Sequence, residues 1–69
     1  MRKMLISALQ KKMGAGSDSF LVLIYQFKRQ YPLHRELANR ITETEKLIGS
    51  ANEPNKQEII SLVHEIESI

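Results

Sequence analysis

Apolar residues recur along this chain at the three- and four-residue spacing of amphipathic helices. The first stripe has four members at intervals of four residues: Met1, Leu5, Leu9 and Met13. This spacing predicts a helix over residues 2–13. Gly14 follows at once and is predicted to end the helix as a left-handed cap, because it has no side chain that would clash there.

The second apolar segment begins at Phe20, and its first residues are apolar on every side, so periodicity alone cannot distinguish a helix from a strand. We expect a buried helix over residues 20–31, because only Val22 and Ile24 are β-branched and no second strand is evident to pair with it. The run Ser17-Asp18-Ser19 is predicted to cap its N-terminus. The predicted contact seam consists of Phe20, Ile24, Phe27 and Tyr31.

Pro32 separates the second segment from the third, because proline cannot continue the hydrogen bonds of a helix. The third stripe contains Leu33, Leu37, Ile41, Thr44 and Ile48. It predicts a helix over residues 33–48, which Gly49 ends. The fourth stripe contains Ile59, Leu62, Val63, Ile66 and Ile69. It predicts a helix over residues 56–68, with Asn55 and Glu58 as a capping pair.

These elements predict an all-α protein, a single helical domain of three to four short helices over residues 1–69. Ordering such a short chain costs roughly 100 kcal/mol in conformational entropy, and without disulfides or a metal a partner surface often supplies the missing stability. We therefore expect a small bundle completed by homodimerisation. The predicted protein interface consists of Ile59, Leu62, Val63, Ile66, Leu37 and Ile41.

The formal net charge of +2 hides two halves of opposite sign. Residues 1–40 carry eight lysines and arginines against two acids (8 − 2 = +6), whereas residues 41–69 carry two lysines against six glutamates (2 − 6 = −4). This asymmetry indicates either antiparallel self-pairing or an acidic partner for the first half, with ordinary solvated helix faces as the third interpretation.

Nucleic-acid binding is the alternative function that the basic half indicates. Lysine and arginine neutralise phosphates, and aromatic rings such as Tyr25 and Tyr31 stack on unpaired bases. The candidate nucleic-acid contacts are Lys11, Lys12, Lys28, Arg29, Arg35 and Arg40. A membrane-surface helix over residues 1–13 is a third alternative.

Residue types that carry catalysis or bind metals are sparse. The chain has no cysteine and one aspartate, and its two histidines, His34 and His64, lie on different predicted segments. We therefore expect no enzyme activity, no metal or other cofactor and no small-molecule substrate. The longest apolar runs have six residues, far fewer than the roughly 20 of a membrane span, and the lack of cysteine is typical of the cytoplasm.

Residues 52–67 read Asn-Glu-Pro-Asn-Lys-Gln-Glu-Ile-Ile-Ser-Leu-Val-His-Glu-Ile-Glu. This stretch, with the preceding helix from Leu37 to Gly49, resembles the YmgB/AriR family of small enterobacterial biofilm and acid-resistance regulators. Residues 1–31 have no counterpart in the family pattern, and a further helix of the family would follow Ile69. The resemblance implies a helical homodimer that acts as a connector, binding a response regulator or transcription factor, with DNA left open as a further partner. The interface residues that it implies are Ile59, Leu62, Val63 and Ile66.

Overall fold

A computed structural model describes residues 2–69, and all regular elements in that range are helices. The helices are α1 (Arg2–Met13), α2 (Phe20–Gln30), α3 (Arg35–Leu47) and α4 (Lys56–Glu67), and a 3₁₀ turn at Pro32–His34 joins α2 to α3. The predicted all-α fold is confirmed, and every predicted helix end lies within two residues of the observed one. Met1, the first member of the first apolar stripe, lies outside the described residues.

The helix ends follow local backbone chemistry. Gly14 has φ 63° and Gly49 has φ 86°, the left-handed conformation in which glycine avoids a Cβ clash, so both glycines end helices as predicted. Asn55 caps α4, because its Oδ1 accepts a hydrogen bond of 2.9 Å from the Glu58 amide. The predicted side-chain cap of α2 is absent. Ser19 makes no capping bond, and Ser17 Oγ instead accepts from the Ser19 amide at 3.1 Å.

The helices pack in a cycle in which α1 contacts α2 and α4, and α3 contacts the same two helices. All four contribute to one core of buried apolar side chains: Leu5, Ala8, Leu9, Phe20, Leu23, Ile24, Phe27, Leu37, Ala38, Ile41, Ile59, Leu62 and Ile66. The radius of gyration is 11.1 Å, close to the roughly 11 Å of a compact chain of this length. A single chain therefore encloses its own core.

This core contains five of the six residues predicted to contact another protein: Leu37, Ile41, Ile59, Leu62 and Ile66. Val63, the sixth, is partly buried against the same core. The physical reason is that α1 and α3 already cover the apolar side of α4. The five residues are therefore corrected from exposed anchors to core residues of the single chain.

Candidate protein-interaction surface

Two ion pairs connect the basic half of the chain to the acidic half. Arg2 Nε lies 2.8 Å from Glu45 Oε1, joining α1 to α3. The Arg40 guanidinium donates to both oxygens of Glu65 at 2.9 and 2.8 Å, joining α3 to α4. Part of the charge asymmetry that indicated an acidic partner is thus neutralised within the molecule.

The guanidinium of Arg40 is occupied by the carboxylate of Glu65. Its hydrogen bonds to Glu65, and then the Coulomb attraction of the same group, raise the pKa of Arg40 above its ordinary value. The two parallel N–H donors of the guanidinium are the ones that would grip a phosphate. Arg40 would therefore have to give up Glu65 in order to serve as a nucleic-acid contact.

The other predicted nucleic-acid contacts lie in separate places. Lys12 is half-buried, and its ammonium donates to the Ile69 carbonyl oxygen. Lys11 is exposed at the same end of α1, whereas Lys28 and Arg29 are exposed in the last turn of α2. The two groups therefore belong to the last turns of two different helices, which a six-residue connection joins. The sixth residue, Arg35, is exposed at the start of α3.

The largest group of exposed apolar side chains lies on the outside of α2. Leu21 is 75% exposed, Tyr25 61% and Val22 43%. The helix starts with six consecutive apolar residues, more than one side of a helix can bury, so Leu23, Ile24 and Phe27 enter the core and these three do not. We define the α2 face as Leu21, Val22, Tyr25, Lys28 and Arg29.

Three side chains of the α2 face form a row along the helix, and one contact orients the tyrosine ring within it. Leu21, Tyr25 and Arg29 are four residues apart and lie in a line along the helix surface. The Arg29 Cζ atom lies 5.9 Å from the centroid of the Tyr25 ring, a cation–π contact. A tyrosine ring fixed before binding loses less rotamer entropy when a partner packs against it.

The α2 face is cationic as well as apolar. Neither α1 nor α2 contains an acidic residue, and Asp18 in their connection is the only acid before Glu36. Gln26 lies beside the face and lines a groove of about 320 Å³ with Arg29 and Gln30. Its Oε1 is buried and receives no hydrogen bond within residues 2–69.

The remaining exposed apolar side chains are isolated. Leu33 is 93% exposed in the 3₁₀ turn, and Leu47 is exposed at the end of α3. Single exposed leucines are common on protein surfaces, whereas adjacent ones mark contact sites. The α2 face is therefore the strongest candidate for binding a partner.

Residues typical of metal sites do not cluster within residues 2–69. His34 and His64 are both exposed on different elements. Over residues 2–69, no three or more histidine, cysteine, aspartate or glutamate side chains are close enough to hold a metal ion. None of the helices in the same range combines the length and apolar character needed to cross a membrane.

Comparison with protein-family models, with curated proteins and with solved structures finds no match to this chain. Sequence reasoning missed the α2 face because it assigned the rings of α2 to a core seam and to nucleic-acid stacking. The signal that could have found it is the width of the apolar run at Phe20–Tyr25, which exceeds the buried side of one helix.

Proposed function

We propose that this protein is a small helical protein-interaction module. It acts as a regulator or connector by binding a protein partner, such as a transcription regulator, through the α2 face. The observation that carries this proposal is the adjacent exposure of Leu21, Val22 and Tyr25 on one helix whose other side is anchored in the core.

Each part of the α2 face fits a role in binding a protein. Burying the two aliphatic side chains and the tyrosine ring would contribute about 25 cal/mol for each Å² of apolar surface removed from water. Tyrosine and arginine are also the residue types that most often dominate protein interfaces. Lys28 and Arg29 would accelerate encounter with an acidic partner.

The regulatory part of the proposal comes from the resemblance of residues 52–67 to the YmgB/AriR family. Homodimerisation, which that resemblance also implies, stays a prediction. Sedimentation equilibrium of the purified protein over a range of concentrations measures it directly. A stable dimer in which Val63 and α4 lie at the interface would support the family-like assembly.

Affinity capture from the native host tests the proposed function. The bait is the full chain, compared with Leu21→Ser/Tyr25→Ser and with Leu33→Ser, which removes an even more exposed leucine outside the α2 face. We expect a protein that the wild type and the Leu33 variant retain and that the double variant loses. Equal retention by all three baits, or loss with the Leu33 variant alone, would contradict a binding role for the α2 face.

Nucleic-acid binding is the second candidate, because α1 and α2 together carry six cations and no acid. Binding that depends on phosphates falls steeply between about 50 and 200 mM salt, whereas binding anchored by apolar contacts does not. Fluorescence anisotropy with a labelled single-stranded oligonucleotide measures this dependence. Lys28→Glu/Arg29→Glu should abolish retention of the oligonucleotide if this activity exists.

A further inference from the structure

The α2 face is aliphatic in the first turn of the helix and cationic in the last. Leu21 and Val22 lie in the first turn, Tyr25 lies in the middle, and Lys28 and Arg29 lie in the last turn. The eight residue steps from Leu21 to Arg29 correspond to a rise of about 12 Å. We propose that the occupant of this face is an amphipathic helix of another protein, with aliphatic side chains at one end of its contact strip and carboxylates at the other. This inference rests on the proposed function and names the chemistry of its partner.

The cations of the α2 face lack acidic partners in the chain itself. Within residues 2–69, the ion pairs involve Arg2 and Arg40, and neither Lys28 nor Arg29 forms one. Arg29 packs on the Tyr25 ring and makes no side-chain hydrogen bond in the same range. The N–H donors of Arg29 are therefore available to a carboxylate of another molecule, which a guanidinium can bind through two parallel hydrogen bonds.

A helix is the form of partner that matches the shape of the α2 face. The backbone hydrogen-bonding groups within α2 are used inside the helix, so the face offers side chains and no strand edge. Its exposed side chains, at spacings of one, three and four residues, form ridges of the kind that pack into the grooves of another helix.

The charge of the α2 face disfavours a second copy of this chain as its occupant, because α2 contains no acidic residue. An antiparallel α2–α2 contact would set Lys28 and Arg29 against Leu21 and Val22, and a parallel one would set cations against cations. Neither arrangement supplies carboxylates.

Nucleic acid fits the α2 face less well than an acidic helix does. Leu21 and Val22 have no means of contacting a phosphate, and they form the first turn of the face. The cations that could extend a phosphate track are partly engaged, because Arg2 and Arg40 hold carboxylates and Lys12 holds a carbonyl oxygen.

A synthetic helical peptide tests the proposal. The acidic peptide carries two leucines one turn apart and two glutamates two turns further along. One matched peptide has lysine in place of both glutamates, and a second has serine in place of both leucines. Fluorescence anisotropy at near-physiological salt should show that the wild-type chain binds the acidic peptide roughly tenfold or more tightly than either matched peptide.

Reversing the charge of Lys28 and Arg29 tests whether these two residues determine which peptide is bound. Lys28→Glu/Arg29→Glu should reverse the preference, so that this variant binds the lysine peptide better than the acidic one. Lys46→Glu/Lys56→Glu changes the net charge equally, at exposed positions on α3 and α4, and should keep the wild-type preference. Far-ultraviolet circular dichroism confirms that each variant is folded. Equal binding of all peptides, or an equal loss of preference in the control variant, would overturn the proposal.

Two other results would also overturn this inference. One is a concentration-dependent dimer that Leu21→Ser/Tyr25→Ser dissociates, which would assign the face to a second copy. The other is salt-sensitive displacement of the peptide by an oligonucleotide that binds more tightly. If the host partner depends on Leu21 and Tyr25 but peptide binding shows no charge preference, the proposed function stands and only the acidic-helix inference fails.

Discussion

Arg40 and Glu65, 25 residues apart in the sequence, form a two-point ion pair that joins α3 to α4. Each of the two terminal nitrogens of the guanidinium donates to one carboxylate oxygen, which is the bidentate geometry typical of arginine–carboxylate pairs. His34, just before α3, and Leu37 in its first turn border a groove with Ser68 and Ile69, which follow the last residue of α4. The two helices therefore run antiparallel, and the ion pair lies near that end of their contact.

The Arg40–Glu65 pair should make a small, salt-sensitive contribution to stability. A double-mutant cycle with Arg40→Ala and Glu65→Ala, measured by urea unfolding, should give a coupling of about 0.2–1 kcal/mol, because both side chains are roughly half exposed. The coupling should shrink at 1 M salt, where charges are screened beyond about 3 Å. No coupling at low salt would contradict the pairing.

Titration of Arg40 should not change the free energy of unfolding at physiological pH. A folded-state pKa above the unfolded value stabilises the protein fully below the unfolded pKa, and this stabilisation is lost only as the pH rises through the folded pKa. For Arg40, whose pKa is raised above the ordinary value of arginine by its hydrogen bonds to Glu65, that loss begins only in strongly alkaline solution. Unfolding free energies measured between pH 7 and pH 9 should therefore show no contribution from titration of Arg40.

Truncation of Ile59 should unfold the chain rather than dissociate a complex. Ile59 is fully buried in the core, so Ile59→Ala should lower the free energy of unfolding by about 2–5 kcal/mol. Val63→Ala, on the same helix but only partly buried, is the control and should cost distinctly less. Urea denaturation gives both values. If Ile59→Ala left stability intact but lowered the molecular mass in solution, the core assignment would be contradicted.

Substitution by aspartate gives a second test of burial in the core. Ile59→Asp or Leu62→Asp would place an unpaired charge in the apolar core and should abolish the folded state. Circular dichroism at room temperature should show loss of helicity. A variant with full helicity would contradict the burial of the substituted side chain.

The Asn55 cap should contribute more than the serine before α2. Asn55→Ala removes the acceptor of the Glu58 amide and should cost about 1 kcal/mol. Ser19 occupies the equivalent position of α2 without making a side-chain capping bond, so Ser19→Ala should be close to neutral. The midpoints of thermal unfolding compare the two variants, and equal losses would contradict the difference between the caps.

Two glycines differ in what an added methyl group should do. Gly49 has φ 86°, so Gly49→Ala should destabilise the chain by about 1–2 kcal/mol through backbone strain alone, since nothing lies within 4 Å of the added Cβ. Gly16 has equally open surroundings and no left-handed φ, so Gly16→Ala should be neutral or slightly stabilising. Urea unfolding of both variants tests the comparison, and destabilisation by the Gly16 substitution would count against it.

The helices could be predicted from sequence because their signals are local. The spacing of Ile59, Leu62 and Ile66 and the cap at Asn55 define α4 without any knowledge of its neighbours. The same spacing does not reveal what covers the apolar side, and here α1 and α3 cover it instead of a second molecule. The α2 face was missed for a related reason, since a run that is apolar on every side does not indicate which residues the tertiary packing leaves outside.

The packing of α1 against α4, more extensive than that of any other helix pair in residues 2–69, bears on how this protein acquires its structure during synthesis. The ribosome makes α1 before α2, α3 and α4, and α2 can cover only part of α1 until α4 has emerged from the exit tunnel. A nascent chain halted before Ile59 should therefore expose α1 to proteases and chaperones, and native structure should form only when translation has passed the last helix.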